Sequence, residues 1–196
     1  MLTAAPRLAS ARCSGFSLLE VLVTIIIMTL GLLGLAGLQV KIQNAEMESY
    51  QRGQALLLLN DMVERIAVNR ANAASYVSAD AFGTGDAQPA SCGGLAGVPL
   101  DQCEWSNALK GSAEKSGTAS IGAMIGARGC VTEIQAPNAA AGVCAPGIYE
   151  VQVAWQGINE TVAPMGTRTC GQGLYGSETL RRVVSTRLTV GLPTCS

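Results

Sequence analysis

The chain has 196 residues, 14% of them charged, and a formal net charge of −1. It contains no histidine, which removes the commonest general base and the commonest metal ligand. No block of like charge points to nucleic acid or to a disordered acidic tail. A leader and one long helix would take the first ~70 residues and leave about 120 to 130, enough for one modest globular domain with its own core.

In chain order, Arg7 and Arg12 precede an apolar run, and the 18 residues from Val21 to Leu38 carry no charge. Phe16 to Leu38 would be roughly 35 Å long as a helix, enough to cross a bilayer. The two arginines place the N-terminus on the cytoplasmic side. The run by itself fits a single-pass anchor, or a secretory signal peptide cut within G-L-A-G, Gly34 to Gly37. Neither accounts for Glu20. A carboxylate at the border of a membrane segment costs several kcal/mol unless it has a partner.

The stretch R-C-S-G-F-S-L-L-E, Arg12 to Glu20, resembles the processing site of the type IV pilin superfamily. The resemblance implies a leader, residues 1–15, removed after Gly15 by a prepilin peptidase. It implies that Phe16 becomes an N-methylated first residue and that Glu20 is the invariant fifth. In pilins that glutamate pairs with the terminal amine of a neighbouring subunit. A buried amine needs such a counter-charge, and the pair fixes axial register. The odd thiol, Cys13, would leave with the leader. Eleven basic and fourteen acidic residues would remain, a net charge of −3.

Beyond Leu38, the positions Val40, Ile42, Ala45, Tyr50, Leu56, Leu59, Val63 and Ile66 recur at helical spacing. No proline occurs between Phe16 and Ala71. One helix is expected from about Phe16 to Arg70. Residues 16–38 are its membrane and assembly half and 39–70 its amphipathic half, with Ala55 to Ala67 packed on a globular domain at 71–196. Major pilins commonly kink at a proline where this chain has Gly37. Gly31, Gly34 and Gly37 each weaken the helix by about 1 kcal/mol relative to alanine. They read either as a soft spot that bends or melts, or as a close-packing face.

Ser75 to Leu100 is rich in small and polar residues and reads as a loop with a helical turn early on. Asp101, with Glu104 three residues on, resembles a capping box and opens a short helix at Gln102 to Lys110 with Trp105 and Leu109 inward. Three strands are expected, at Gly129 to Ile134, Ile148 to Trp155 and Leu180 to Val190. In the second, Tyr149, Val151, Val153 and Trp155 share one face and Glu150 and Gln152 the other. In the third, Val184, Leu188 and Val190 oppose Arg181, Ser185 and Arg187. Thr161 to Thr179 is a loop, and Arg181-Arg182 reads as a solvated strand edge. The fold class is α+β: a long N-terminal helix packed on a small antiparallel sheet with disulfide-bonded loops. That is also the architecture of pilins.

No two cysteines form a C-x-x-C pair, so a zinc site fits poorly. Six of the seven lie 11 to 27 residues apart from Cys92 onward and read as disulfides of an oxidising compartment. Among 15 connectivities, the sequence-local one joins Cys92 to Cys103, Cys130 to Cys144 and Cys170 to Cys195. Asp80, Asp86 and Asp101 match no EF-hand spacing, and no catalytic cluster, metal site or cofactor motif stands out.

The Trp105 helix, R-G-C-V at Arg128 to Val131, Y-E-V-Q-V-A-W-Q-G and R-R-V-V resemble the PilV minor pilins. That resemblance implies a low-abundance, non-catalytic subunit that joins other minor pilins and the major pilin. Such a subunit primes filament assembly from an inner-membrane platform and ends at the pilus tip, often with a large tip adhesin. A minor pseudopilin of type II secretion and a membrane-anchored periplasmic enzyme or binding module are the alternatives.

Overall fold

The computed structural model describes residues 15–112, 115–116, 119–120 and 124–192; Cys13 and Cys195 lie outside them. The helix α1 runs from Leu18 to Val68. The chain divides into two compact units, Met1–Gln43 and Asn44–Ser196.

In the first unit α1 is one continuous apolar rod. It passes through Gly31, Gly34 and Gly37 without a break, and a Cβ at any of the three would meet nothing within 4 Å. Its 18-residue apolar window has a mean hydropathy of 2.5 and is nowhere buried. The hydroxyls of Thr24 and Thr29 donate to the carbonyls of Val21 and Ile26, each at 2.8 Å. Polar groups satisfied within the helix suit a surrounding that offers no water.

The second unit holds the core. Along α1 its buried positions are Gln51, Ala55, Leu59, Met62 and Ile66, spaced three and four apart as one helical stripe. The expected face was therefore rotated in part. Leu56 is 42% exposed, whereas Ala55 and Met62, which are not among the apolar positions of that expected face, are inside. The reason is geometric: a helix resting on one sheet buries a single narrow stripe.

Four strands form an antiparallel sheet in the order β1-β4-β5-β6: β1 at Phe82–Gly83, β4 at Ile125–Gln135, β5 at Gly147–Gln156 and β6 at Arg181–Val190. The strands β2 (Lys115–Ser116) and β3 (Ala119–Ser120) pair with each other. The three expected strands are present, and the first is longer than expected at both ends. The fourth, β1, lies within the stretch read as a loop, because two residues are too few to show an alternation. A 3-10 helix, Arg70–Tyr76, follows α1 and reaches only the first two residues of that stretch, ahead of where a helical turn was expected.

The helix α2 runs from Val98 to Leu109, with Gly97 before it and Pro99 in its first turn. The capping-box reading fails here. Asp101 lies inside the helix, and its carboxylate accepts from Arg65 Nη1 at 3.0 Å and from the Tyr76 hydroxyl. Arg65 also reaches Glu104 at 2.7 Å and Asp61 at 3.1 Å. One guanidinium thus holds three carboxylates and joins α1 to α2 through two of them, Asp101 and Glu104. Trp105 and Leu109 face inward as expected. The Trp105 indole donates to the Leu58 carbonyl at 2.8 Å and stands 5.7 Å from the Phe82 ring, tilted by 59°. It also lies flat on β4 at Gly129, where a Cβ would come within 2.1 Å of the ring. Only glycine permits that approach, which gives R-G-C-V a structural reason.

The register confirms the expected faces of β5 and β6, but the polar face is not solvated. The segment 165–180 lies across it, so that Glu150 and Gln152 are 4% and 1% exposed. Gln152 donates to Glu150 at 2.9 Å and to the Thr167 carbonyl at 2.8 Å, and accepts from Cys170 N at 3.2 Å. Arg181, expected in solvent, is 2% exposed. It donates to the carbonyls of Arg168 and Cys170 and to the Glu178 carboxylate. Arg182 is half-buried, against Glu48 at 3.2 Å.

The disulfide Cys92–Cys103 is as expected. The other two sequence-local pairings are wrong, because Cys130 is bonded to Cys170. Cys130 lies five residues before the end of β4, roughly 17 Å along an extended strand, and Cys144 lies beyond that end. A disulfide needs Cα atoms within about 7 Å. Cys144 is itself disulfide-bonded.

Candidate processing and assembly site

Gly15, Phe16 and Ser17 precede the first turn of α1. The Ser17 carbonyl accepts from Glu20 N at 3.1 Å and Val21 N at 3.3 Å, which starts the helical ladder. Gly15 is open, since nothing lies within 4 Å of where its Cβ would be. Phe16 is 83% exposed. The peptide bond between these two residues is thus free of packing against the described chain, as a protease substrate requires.

Glu20 lies in the first turn of α1. The unpaired N–H groups at that end favour a negative charge by about 0.3–1 kcal/mol. That is below the roughly 2.5–3.5 kcal/mol that a carboxylate costs at the centre of a membrane helix. Among the described residues no cation pairs with Glu20. The helix provides one aligned carboxylate, one exposed aromatic and an accessible glycine at the end of an apolar rod, and no group to neutralise the charge.

The remaining titratable groups serve the fold. Asp86 binds Lys110, the Ser106 hydroxyl at 2.6 Å and the backbone N–H of Gly83 at 2.8 Å and Gln88 at 3.2 Å. Burial raises its carboxyl, but these four donors outweigh burial and hold it below the ordinary carboxylate value. Burial and the hydrogen bond to Asp101 push the Tyr76 phenol up to about 12. Asp80, Asp86 and Asp101 belong to separate networks, and no metal-binding cluster occurs among the described residues. The Arg65 hub and the buried Arg181 escaped the sequence reading. Asp61 and Arg65, four apart on one helix, were a visible clue to the first. Nothing local signalled the second.

Residues 10–36 match the prokaryotic N-terminal methylation motif, which spans the glycine, the phenylalanine and the glutamate. Residues 37–96 match the Tt1218-like type IV pilin model. The two matches, which together span residues 10–96, support a member of the type IV pilin superfamily.

Comparison with curated proteins and with solved structures gives no match. Type IV pilins are a structural, non-enzymatic family. The methylation motif and the apolar N-terminal helix support membrane anchoring, and the family match implies assembly with other pilins and the pilus machinery. Both family matches end before Asp101, where the PilV-like motifs begin.

Proposed function

We propose that the chain is a minor pilin of the PilV kind, which primes filament growth within a minor-pilin tip complex. The observation that carries this reading is Glu20, a carboxylate without a partner among the described residues, placed five residues after Gly15 in a matched methylation motif. A prepilin peptidase cleaves between Gly15 and Phe16, and the new amine of Phe16 is methylated. Glu20 then pairs with the terminal amine of an adjoining subunit, since each charge alone is costly in an apolar bundle and the two together are not. The N-terminus faces the cytoplasm before assembly, following Arg7 and Arg12. The partners are other minor pilins, the major pilin, the inner-membrane platform and a large tip adhesin.

Mass spectrometry of the mature chain tests the processing step. The expected result is a first residue Phe16 carrying one methyl group. A start within 35–38 would instead support a secretory signal peptide and overturn the proposal. Deletion of the gene separates pilus from secretion: fewer surface pili with normal enzyme secretion is expected, and the reverse would assign the chain to a type II pseudopilus.

A further inference from the structure

We propose that the open edge of β6 receives an extended, acidic segment of a partner protein as an added strand. The proposal stands on the sheet edge and its charge, independently of N-terminal processing. In the order β1-β4-β5-β6 one terminal strand, β1, has two residues; the other, β6, has ten. Among the described residues no strand pairs with the outer side of β6. A long edge offers a row of unpaired backbone donors and acceptors, and proteins usually block such an edge or use it.

Two grooves flank this edge, one on each face of the sheet. The first, about 430 Å³, lies between α1 and the start of β6 and is lined by Arg52 and Arg182 with Glu48, beside Ala45 and Val184. The second, about 490 Å³, lies by the segment 165–180 and is lined by Arg168 and Arg187 with Glu150. Both volumes are in the range that accepts side chains of a ligand. The second unit as a whole is acidic, with thirteen acidic and ten basic residues, yet four of its arginines border this one strand. Glu48 answers Arg182, and Glu150 answers Arg187 at 3.4 Å. Arg52 and Arg168 are exposed and have no ion pair among the described residues.

An added strand would project its side chains alternately into the two grooves. Arg182 and Arg187 are five residues apart and so lie on opposite faces. The fitting partner therefore carries two carboxylates at an odd spacing near five, with apolar or hydroxyl side chains between them. The recognition is a ladder of main-chain hydrogen bonds with charge at both ends.

The test uses the full mature chain in detergent and the blocked peptide Thr-Glu-Val-Thr-Val-Thr-Glu-Thr. Two controls replace both Val by Pro, which removes ladder donors while keeping the charge, or both Glu by Lys. Saturable binding of the first peptide is expected, at least ten-fold tighter than either control, with slowed hydrogen exchange confined to β6. Arg52→Glu with Arg168→Glu should weaken it at least ten-fold; neither side chain is paired within the described fold, and an unchanged circular dichroism spectrum verifies folding. No binding, equal binding of the proline peptide or protection outside β6 would each overturn the proposal.

Discussion

Asp86 shows what a single polar side chain contributes to this domain. Its carboxyl is held below its ordinary value despite burial, so the folded state binds the proton less readily than the unfolded chain does. The contribution is therefore fully present above the unfolded carboxyl value, about 3.9. It is lost as pH falls through the lower folded value. Asp86→Asn keeps the shape but leaves Lys110 without its counter-charge, which should cost about 1–3 kcal/mol at pH 7. Thermal unfolding of the full chain in detergent checks this. The gap between native and variant proteins should be widest near neutrality and close as pH drops below the carboxylate range. A gap independent of pH would mean that the hydrogen bonds, and not the charge, matter at this position. Tyr76 behaves in the opposite sense. Its phenol is raised to about 12, so its contribution holds below pH ~10 and fades as pH rises through that higher value.

At the scale of elements, the segment 165–180 has no helix or strand and closes one face of the sheet. It is fixed by Cys130–Cys170, by Arg181 beneath its carbonyls and by the Tyr175 hydroxyl on the Gly126 carbonyl at 2.9 Å. The disulfide closes 40 residues, against 11 for Cys92–Cys103. Loop-closure entropy then gives about 4 kcal/mol for the first and about 3 for the second. Replacing Cys130 and Cys170 by Ala should lower the midpoint of thermal unfolding more than replacing Cys92 and Cys103. It should also open 165–180 to proteolysis. A larger loss from the second pair would show that this covering is held by Arg181 and not by the bridge. The same elements mark the limit of sequence reading. The helix and β5 were legible because their apolar positions repeat at 3.6 and 2 residues, and Trp105 and Leu109 because they share a helical face. Arg181 and the Cys130 partner were not, because both depend on which segment crosses the sheet, a long-range matter that no local spacing encodes. The Asp101 cap failed because α2 starts three residues earlier, at Val98, so that Asp101 stands inside the helix and its carboxylate accepts from Arg65 and Tyr76 instead.

At the scale of the molecule, the chain has an apolar helical unit and a disulfide-bonded α+β unit, and the two satisfy their polar groups differently. The domain neutralises most of its buried charges internally, as with Arg65, Asp86 and Arg181. The rod leaves Glu20 unanswered among the described residues. Within a bilayer or a bundle of such helices, that charge stabilises only a state in which another chain supplies a cation. Glu20→Gln separates this function from folding and export, since it removes the charge and keeps the size, the helix and Gly15. Leader removal should persist, with Phe16 still the first residue. Membrane extraction should recover the variant at normal abundance. Surface pili should fall by about ten-fold or more, the order expected when one charge-assisted contact worth roughly 1.5–3 kcal/mol is lost from assembly. Normal piliation with the variant present in sheared filaments would show that Glu20 sets neither register nor recruitment, and the apolar rod alone would then have to account for assembly.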